Sequence, residues 1–150
     1  MSGEPFLSIE NATRRFAGLV AVNSVSFRIA RGEILSMIEK AGFRILALRM
    51  THLTEAQARA FYAVHQARPF FAGLVKFMTE GPVIVMALER EQAIARLREV
   101  MGATNPANAA EGTVRKRFAT DIERNCIHGS DAPETAATEL AFFFSAGELV

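Results

Sequence analysis

The chain has 150 residues, half of them hydrophobic and 22% charged, with a formal net charge of +1. That suits one domain with an apolar core and argues against a general nucleic-acid or membrane-surface binder. The single cysteine, Cys126, excludes an intrachain disulfide, no apolar run nears membrane-spanning length, and Met1-Ser2-Gly3-Glu4-Pro5 lacks a secretory pattern, so a cytoplasmic protein is expected.

The apolar stretch at 18–22 has the makings of a buried strand. Residues 33–41 place Ile34 and Ile38 one turn apart, with Gly42 as the helix stop. Residues 43–50 read as a strand whose apolar run is broken only by arginines. Thr54 opens a helix through a capping box with Gln57, running to about 65 and stopped before Pro69. A second short helix follows at 70–79, closed by Gly81-Pro82, and then a buried strand at 83–88. The spacing of Ile94, Leu97 and Met101 predicts a helix over 91–101, ended by Gly102. Residues 103–112 are an Ala-, Asn- and Pro-rich loop. A short strand near 126–128 and a helix from 132 to about 143 complete the domain. Strands alternating with helices point to an α/β sandwich on a small sheet.

The stretch Asn125-Cys126-Ile127-His128-Gly129-Ser130-Asp131 is the richest in chemistry. Asp131 is the expected N-cap of the last helix, with Glu134 completing a capping box. Helix starts attract anions, and histidine serves as a covalent nucleophile that titrates near neutral pH. A lone histidine near a turn is, by itself, more often structural. Cys126 reads as a small buried hydrophobe rather than a reactive thiol. Basic residues cluster at Arg90, Arg96 and Arg98 and again at Arg115, Lys116 and Arg117. Such clusters usually form a solvated face; here they flank the Thr104-Asn105-Pro106 loop, which favours a phosphate role.

From Gly32 onward the chain resembles the nucleoside diphosphate kinase family. The resemblance rests on Glu39-Lys40-Ala41-Gly42-Phe43, Phe61-Tyr62-Ala63-Val64-His65, Arg68-Pro69-Phe70-Phe71, Gly81-Pro82-Val83, Met101-Gly102-Ala103-Thr104-Asn105-Pro106-Ala107, Gly112-Thr113-Val114-Arg115 and the His128 stretch, in the family's order and spacing. It implies an α+β fold: a ferredoxin-like βαββαβ sandwich with an antiparallel four-stranded sheet. It implies ping-pong transfer of the γ-phosphate of a nucleoside triphosphate to a diphosphate through phosphorylated His128. Glu139 would hold the other imidazole nitrogen, although by spacing alone it is an ordinary helix glutamate. Tyr62 would place its hydroxyl near His128, and Ser130 would support Glu139. Arg98, Thr104 and Arg115 would meet the phosphates, and Asn125 the ribose side. Phe70 would stack on the base with Leu74 nearby, the competing reading being core packing beside Phe71. His52 and His65 take no role and read as structural. Mg²⁺ is implied, bound through the nucleotide phosphates rather than by a protein cage. The resemblance also implies a homo-oligomer, tetramer or hexamer, and no membrane or nucleic-acid partner.

Residues 1–31 depart from that family, leaving 32–150 as the kinase domain. The family's first strand ends in Lys-Pro-Asp, where this chain has Val22-Asn23-Ser24. The run from Phe6 to Phe27, continued by Arg31-Gly32-Glu33-Ile34-Leu35 to about residue 37, resembles the start of a branched-chain amino-acid ABC transporter ATPase. The phosphate loop that should follow, G-x-x-x-x-G-K-[ST], is missing: the chain reads Glu39-Lys40-Ala41-Gly42-Phe43, so ABC ATPase activity is not expected. The two patterns meet within 32–38, and the foreign residues 18–22 are expected to replace the first strand. The first reading is a nucleoside diphosphate kinase; the alternative is a catalytically impaired nucleotide-binding oligomer lacking the family's lysine.

Overall fold

The structure is a computed structural model and describes residues 16–22 and 29–150. Residues 1–15, where the ABC ATPase resemblance is expected to begin, and positions Asn23 and Ser24, set against the family's Pro-Asp, lie outside the described residues. Strand β1 is Phe16–Val22, helix α1 Ile29–Lys40, β2 Arg44–Thr51, α2 Glu55–Phe61, α3 Phe71–Thr79, β3 Val83–Glu89, α4 Ala93–Met101, α5 Val114–Phe118, β4 Ile127–Gly129 and α6 Pro133–Phe143. The sheet is antiparallel with order β2-β3-β1-β4, which is the βαββαβ arrangement expected. The predicted strand at 18–22 is present as β1. It pairs with β3 on one side and with β4 on the other, where Ala21 lies opposite His128.

Central strand β3 explains the two-sided core. Ile84, Met86 and Leu88 join Ile34, Ile38 and Leu97 on one face, while Val83, Val85 and Ala87 join Phe71, Val75 and Leu140 on the other. Alternate side chains of a strand point to opposite faces, so a continuous apolar run can serve two helical layers.

Local signals set most boundaries. The capping box of α2 forms: Gln57 N–H donates to Thr54 Oγ1 at 3.2 Å, and Thr54 N–H donates to Gln57 Oε1 at 2.9 Å. The helix is shorter than predicted, because Tyr62 ends it and Ala63–His65 forms a separate 3-10 turn. Gly102 ends α4 at φ +82, with no room for a side chain: an added Cβ would lie 2.7 Å from Thr113 Cβ. The start of α6 differs from expectation. Its N-cap is Ala132 with Pro133 at the first turn, not Asp131. Thr135 rather than Glu134 reaches back, its Oγ1 accepting from Ala132 N–H at 3.0 Å and donating to Asp131 Oδ1 at 2.7 Å. Proline is well suited to the first helical position, where no N–H is needed, and this moves the cap one residue on.

Candidate active site

His128 sits in the middle of β4, between buried Ile127 and Gly129. Glycine next to it lets α4 pack closely, since a Cβ at 129 would lie 2.6 Å from Met101 Sδ and push that side chain aside. The chain enters β4 through Cys126 at φ 60, an uncommon conformation for a non-glycine residue. Cys126 is buried, and burial raises its thiol pKa to about 12, in keeping with an inert role.

The imidazole is held from one side. Its Nε2 lies 3.0 Å from Glu139 Oε1 on α6, and Ser130 Oγ donates to the other carboxylate oxygen, Oε2, at 2.5 Å. Ser130 is almost fully buried. An ionised carboxylate only accepts hydrogen bonds, so Nε2 carries the hydrogen and Nδ1 keeps its lone pair. Two rings stand edge-on to the imidazole: Tyr62 at 5.7 Å and Phe61 at 5.6 Å between centroids. Burial, reinforced by the Glu139 charge, raises the Tyr62 phenol well above its ordinary pKa. Tyr62 therefore packs its ring, rather than a charged oxygen, against the histidine.

Two cavities open at His128. One, of about 390 Å³, is mostly apolar and is lined by Tyr62, Phe70, Leu74 and Asn125 among others. The second, of about 690 Å³, is lined by Arg98, Asp131 and Glu139, and Thr104, Arg115 and His65 reach both. All ten residues singled out in the sequence thus gather here, Ser130 standing behind Glu139. Phe70 is 46% exposed while Phe71 is buried, so Phe70 is not core packing. Arg115 is more structural than expected. Its Nη1 donates to Gly102 O and its Nη2 to Ile127 O, each at 2.9 Å, tying the end of α4 to β4. Its buried Nε has no partner among the described residues. Burial lowers its pKa from the ordinary value, and the nearby charge of Arg98 acts in the same direction. Asn125 uses its Nδ2 on Ile122 O at 3.1 Å.

The rest of the basic clusters face solvent in ion pairs: Arg96 with Glu99, Lys116 with Glu111, Arg117 with Glu33. Arg90 donates to Ala41 O and lies over Phe43. His52 is structural, its Nε2 3.0 Å from Thr79 O. His65, read as structural too, lines both cavities, 5.6 Å from the Phe70 ring. Ile122, 56% exposed on the apolar cavity's wall, was also missed; its signal is a lone apolar residue in the polar run 120–125.

Comparison with known proteins sets these features in a class. A solved nucleoside diphosphate kinase from Aquifex aeolicus superposes with TM-score 0.88 at 42% identity, covering 91% of this chain and 99% of that one. One from Halobacterium salinarum, solved in complex with CDP, gives TM-score 0.85 at 36% identity, covering 91% of each chain. The molecule is therefore a ferredoxin-like α+β phosphotransferase. Among relatives, nucleoside diphosphate kinases from Azorhizobium caulinodans and Nitratidesulfovibrio vulgaris are 63% and 58% identical, over 79% and 82% of this chain and 85% and 88% of theirs. The family model for nucleoside diphosphate kinase matches residues 19–149, and the chain belongs to that family.

Proposed function

We propose that this kinase works by ping-pong through His128, and the Glu139–Nε2 contact, which commits one ring nitrogen and leaves the other to react, is the observation that carries this reading. Nδ1 attacks the γ-phosphorus of a nucleoside triphosphate. The bond to the β-phosphate oxygen breaks and the diphosphate leaves. A second diphosphate then attacks with its terminal oxygen, the P–N bond breaks, and Nδ1 recovers its lone pair. Glu139, backed by Ser130, stabilises the positive charge on the imidazole while the phosphoryl group is in place. Arg98, Thr104 and Arg115 supply fixed positive and polar groups around the transferring charge. Phe70, Leu74 and Tyr62 hold the base and ribose side, with Asn125 at the junction.

Mg²⁺ fits this site as a companion of the nucleotide. The acidic groups of the phosphate-side cavity already have partners: Glu99 pairs with Arg96, Glu139 with His128, and Asp131 accepts from Thr135. They build no cage, which suits an ion that keeps waters and binds phosphate oxygens. Its chemistry is neutralisation of phosphate charge. The exposed Leu48 and Met50 on edge strand β2 support a homo-oligomer, tetramer or hexamer. Among the described residues no helix is long and apolar enough to cross a membrane; the single buried thiol supports a cytoplasmic setting. For the domain plan, residues 1–31 are an atypical segment resembling an ABC ATPase start without its phosphate loop, and 32–150 the kinase domain; 18–22 stand in for its first strand, and the family match extends back to residue 19.

The test is incubation with γ-labelled ATP and Mg²⁺, then an ADP chase. Acid-labile label should appear and transfer to ADP, and His128→Ala should carry none while still binding nucleotide. Label that persists in that variant would sink the assignment.

A further inference from the structure

We propose that Glu123 reads the base edge and biases this kinase towards nucleotides whose base carries an exocyclic amine. The proposal rests on the kinase reading above. Glu123 lines the apolar cavity with Phe70, Leu74 and Ile122 and is absent from the wall of the phosphate-side cavity, so a nucleotide's base rather than its phosphates would meet it. Its carboxylate lies against α3 at Gly73, where an added Cβ would be 3.7 Å from Oε2.

The loop that carries Glu123 is fixed on both sides. Asp121 Oδ1 accepts from the N–H of Glu123 at 2.9 Å and of Arg124 at 2.8 Å. Arg124 forks onto Glu80 at 3.0 and 2.9 Å and covers the Phe77 ring at 5.2 Å. Its guanidinium is therefore engaged by Glu80 and feels Glu123 only through space. Among the described residues no donor is bonded to the carboxylate, which stands at the pocket rim as an acceptor. Bases with an amine on the ring edge present it a donor; at that position uracil presents a second acceptor and hypoxanthine only a C–H. The contact is exposed, so the bias is that of one net hydrogen bond, about three- to tenfold.

Two substrate pairs isolate the amine at constant ring size: GDP against IDP, and CDP against UDP. The phosphorylated protein is mixed with each, and kcat/KM for dephosphorylation is compared within the pair. The wild-type protein should favour the amine-bearing member of at least one pair by about three- to tenfold. Glu123→Ala should bring that ratio close to one, and Glu123→Gln, whose amide adds a donor, should shift the CDP/UDP ratio towards UDP, whose base carries a carbonyl in place of the amine. Both variants leave the backbone donors of the loop in place. Ratios that stay as in the wild type in both variants, or a wild type with no bias in either pair, overturn the role of Glu123 and leave the kinase intact. A protein that forms no phosphohistidine overturns the kinase reading, and this proposal with it.

Discussion

At the scale of single residues, the decisive contact is between groups eleven positions apart, Nε2 of His128 and Oε1 of Glu139. It selects the tautomer of the neutral ring and aims the ring beside the two cavities that His128 lines. Tyr62 and Phe61, themselves in edge contact, add shape by packing edge-on against the imidazole. Removing the carboxylate should leave the nucleophile in place but poorly oriented and without a partner for its developing positive charge. Glu139→Ala is expected to slow single-turnover phosphorylation of His128 by roughly 10- to 100-fold, the usual scale for a group that orients another. Rapid-quench measurement with labelled ATP reads this directly. A rate equal to that of the wild type would mean that ring packing alone positions His128.

Among elements, β1 bears most on activity. It supplies the strand between β3 and β4, so His128 has a paired backbone at Ala21. Its last residue is Val22, which counting back from Gly32-Glu33-Ile34 sets against the lysine expected from the family resemblance. Loss of one preorganised cation or donor at a transferring phosphoryl group typically costs about 10²–10³ in rate. Arg98 and Arg115 remain on the cavity walls, so catalysis should be slowed rather than abolished. Replacing Val22-Asn23-Ser24 by Lys-Pro-Asp should recover part of that loss in single-turnover phosphorylation, with circular dichroism confirming equal folding. A well-folded triple variant with an unaltered rate would show that the register is wrong or that another residue already fills the lysine's role.

For the molecule as a whole, the two apolar layers on either side of β3 carry the stability, and buried titratable groups make it depend on pH. Cys126 is the clearest case, since burial raises its pKa to about 12. An unfolded thiol ionises near about 8.5. Below that value both states hold the proton and the contribution is complete. Above it the unfolded state loses the proton first, so stability falls as pH rises towards the folded value. Urea midpoints should therefore drop between about pH 8.5 and 10, with a limiting slope of roughly 1.4 kcal/mol per pH unit for one proton. Tyr62, raised in the same direction, adds to the fall above about pH 10. Cys126→Ala should flatten the earlier part of the decline; an identical pH profile in that variant would show that the thiol is not the group responsible.

Sequence by itself determined the elements whose causes are local. The Thr54–Gln57 capping box, the stop at Gly102 and the unbroken apolar run of β3 depend on neighbours within a few positions, and each appears where the spacing predicts. Family motifs carried the ten site residues to one place. Tertiary structure decided what spacing cannot express. Phe70 and Phe71 are adjacent and chemically alike, yet one lines the cavity and the other enters the core, because the start of α3 turns only one of them towards β3. Arg115 looks like a free phosphate ligand until the fold brings Gly102 and Ile127 within reach of its guanidinium. The α6 cap moved from Asp131 to Ala132 because several polar side chains compete there and only one backbone path joins β4. Glu123 reaches the cavity on a loop that a distant partner holds, Glu80 clamping it through Arg124. Contacts between residues far apart in the chain exist only after folding has joined them, and those contacts make the site.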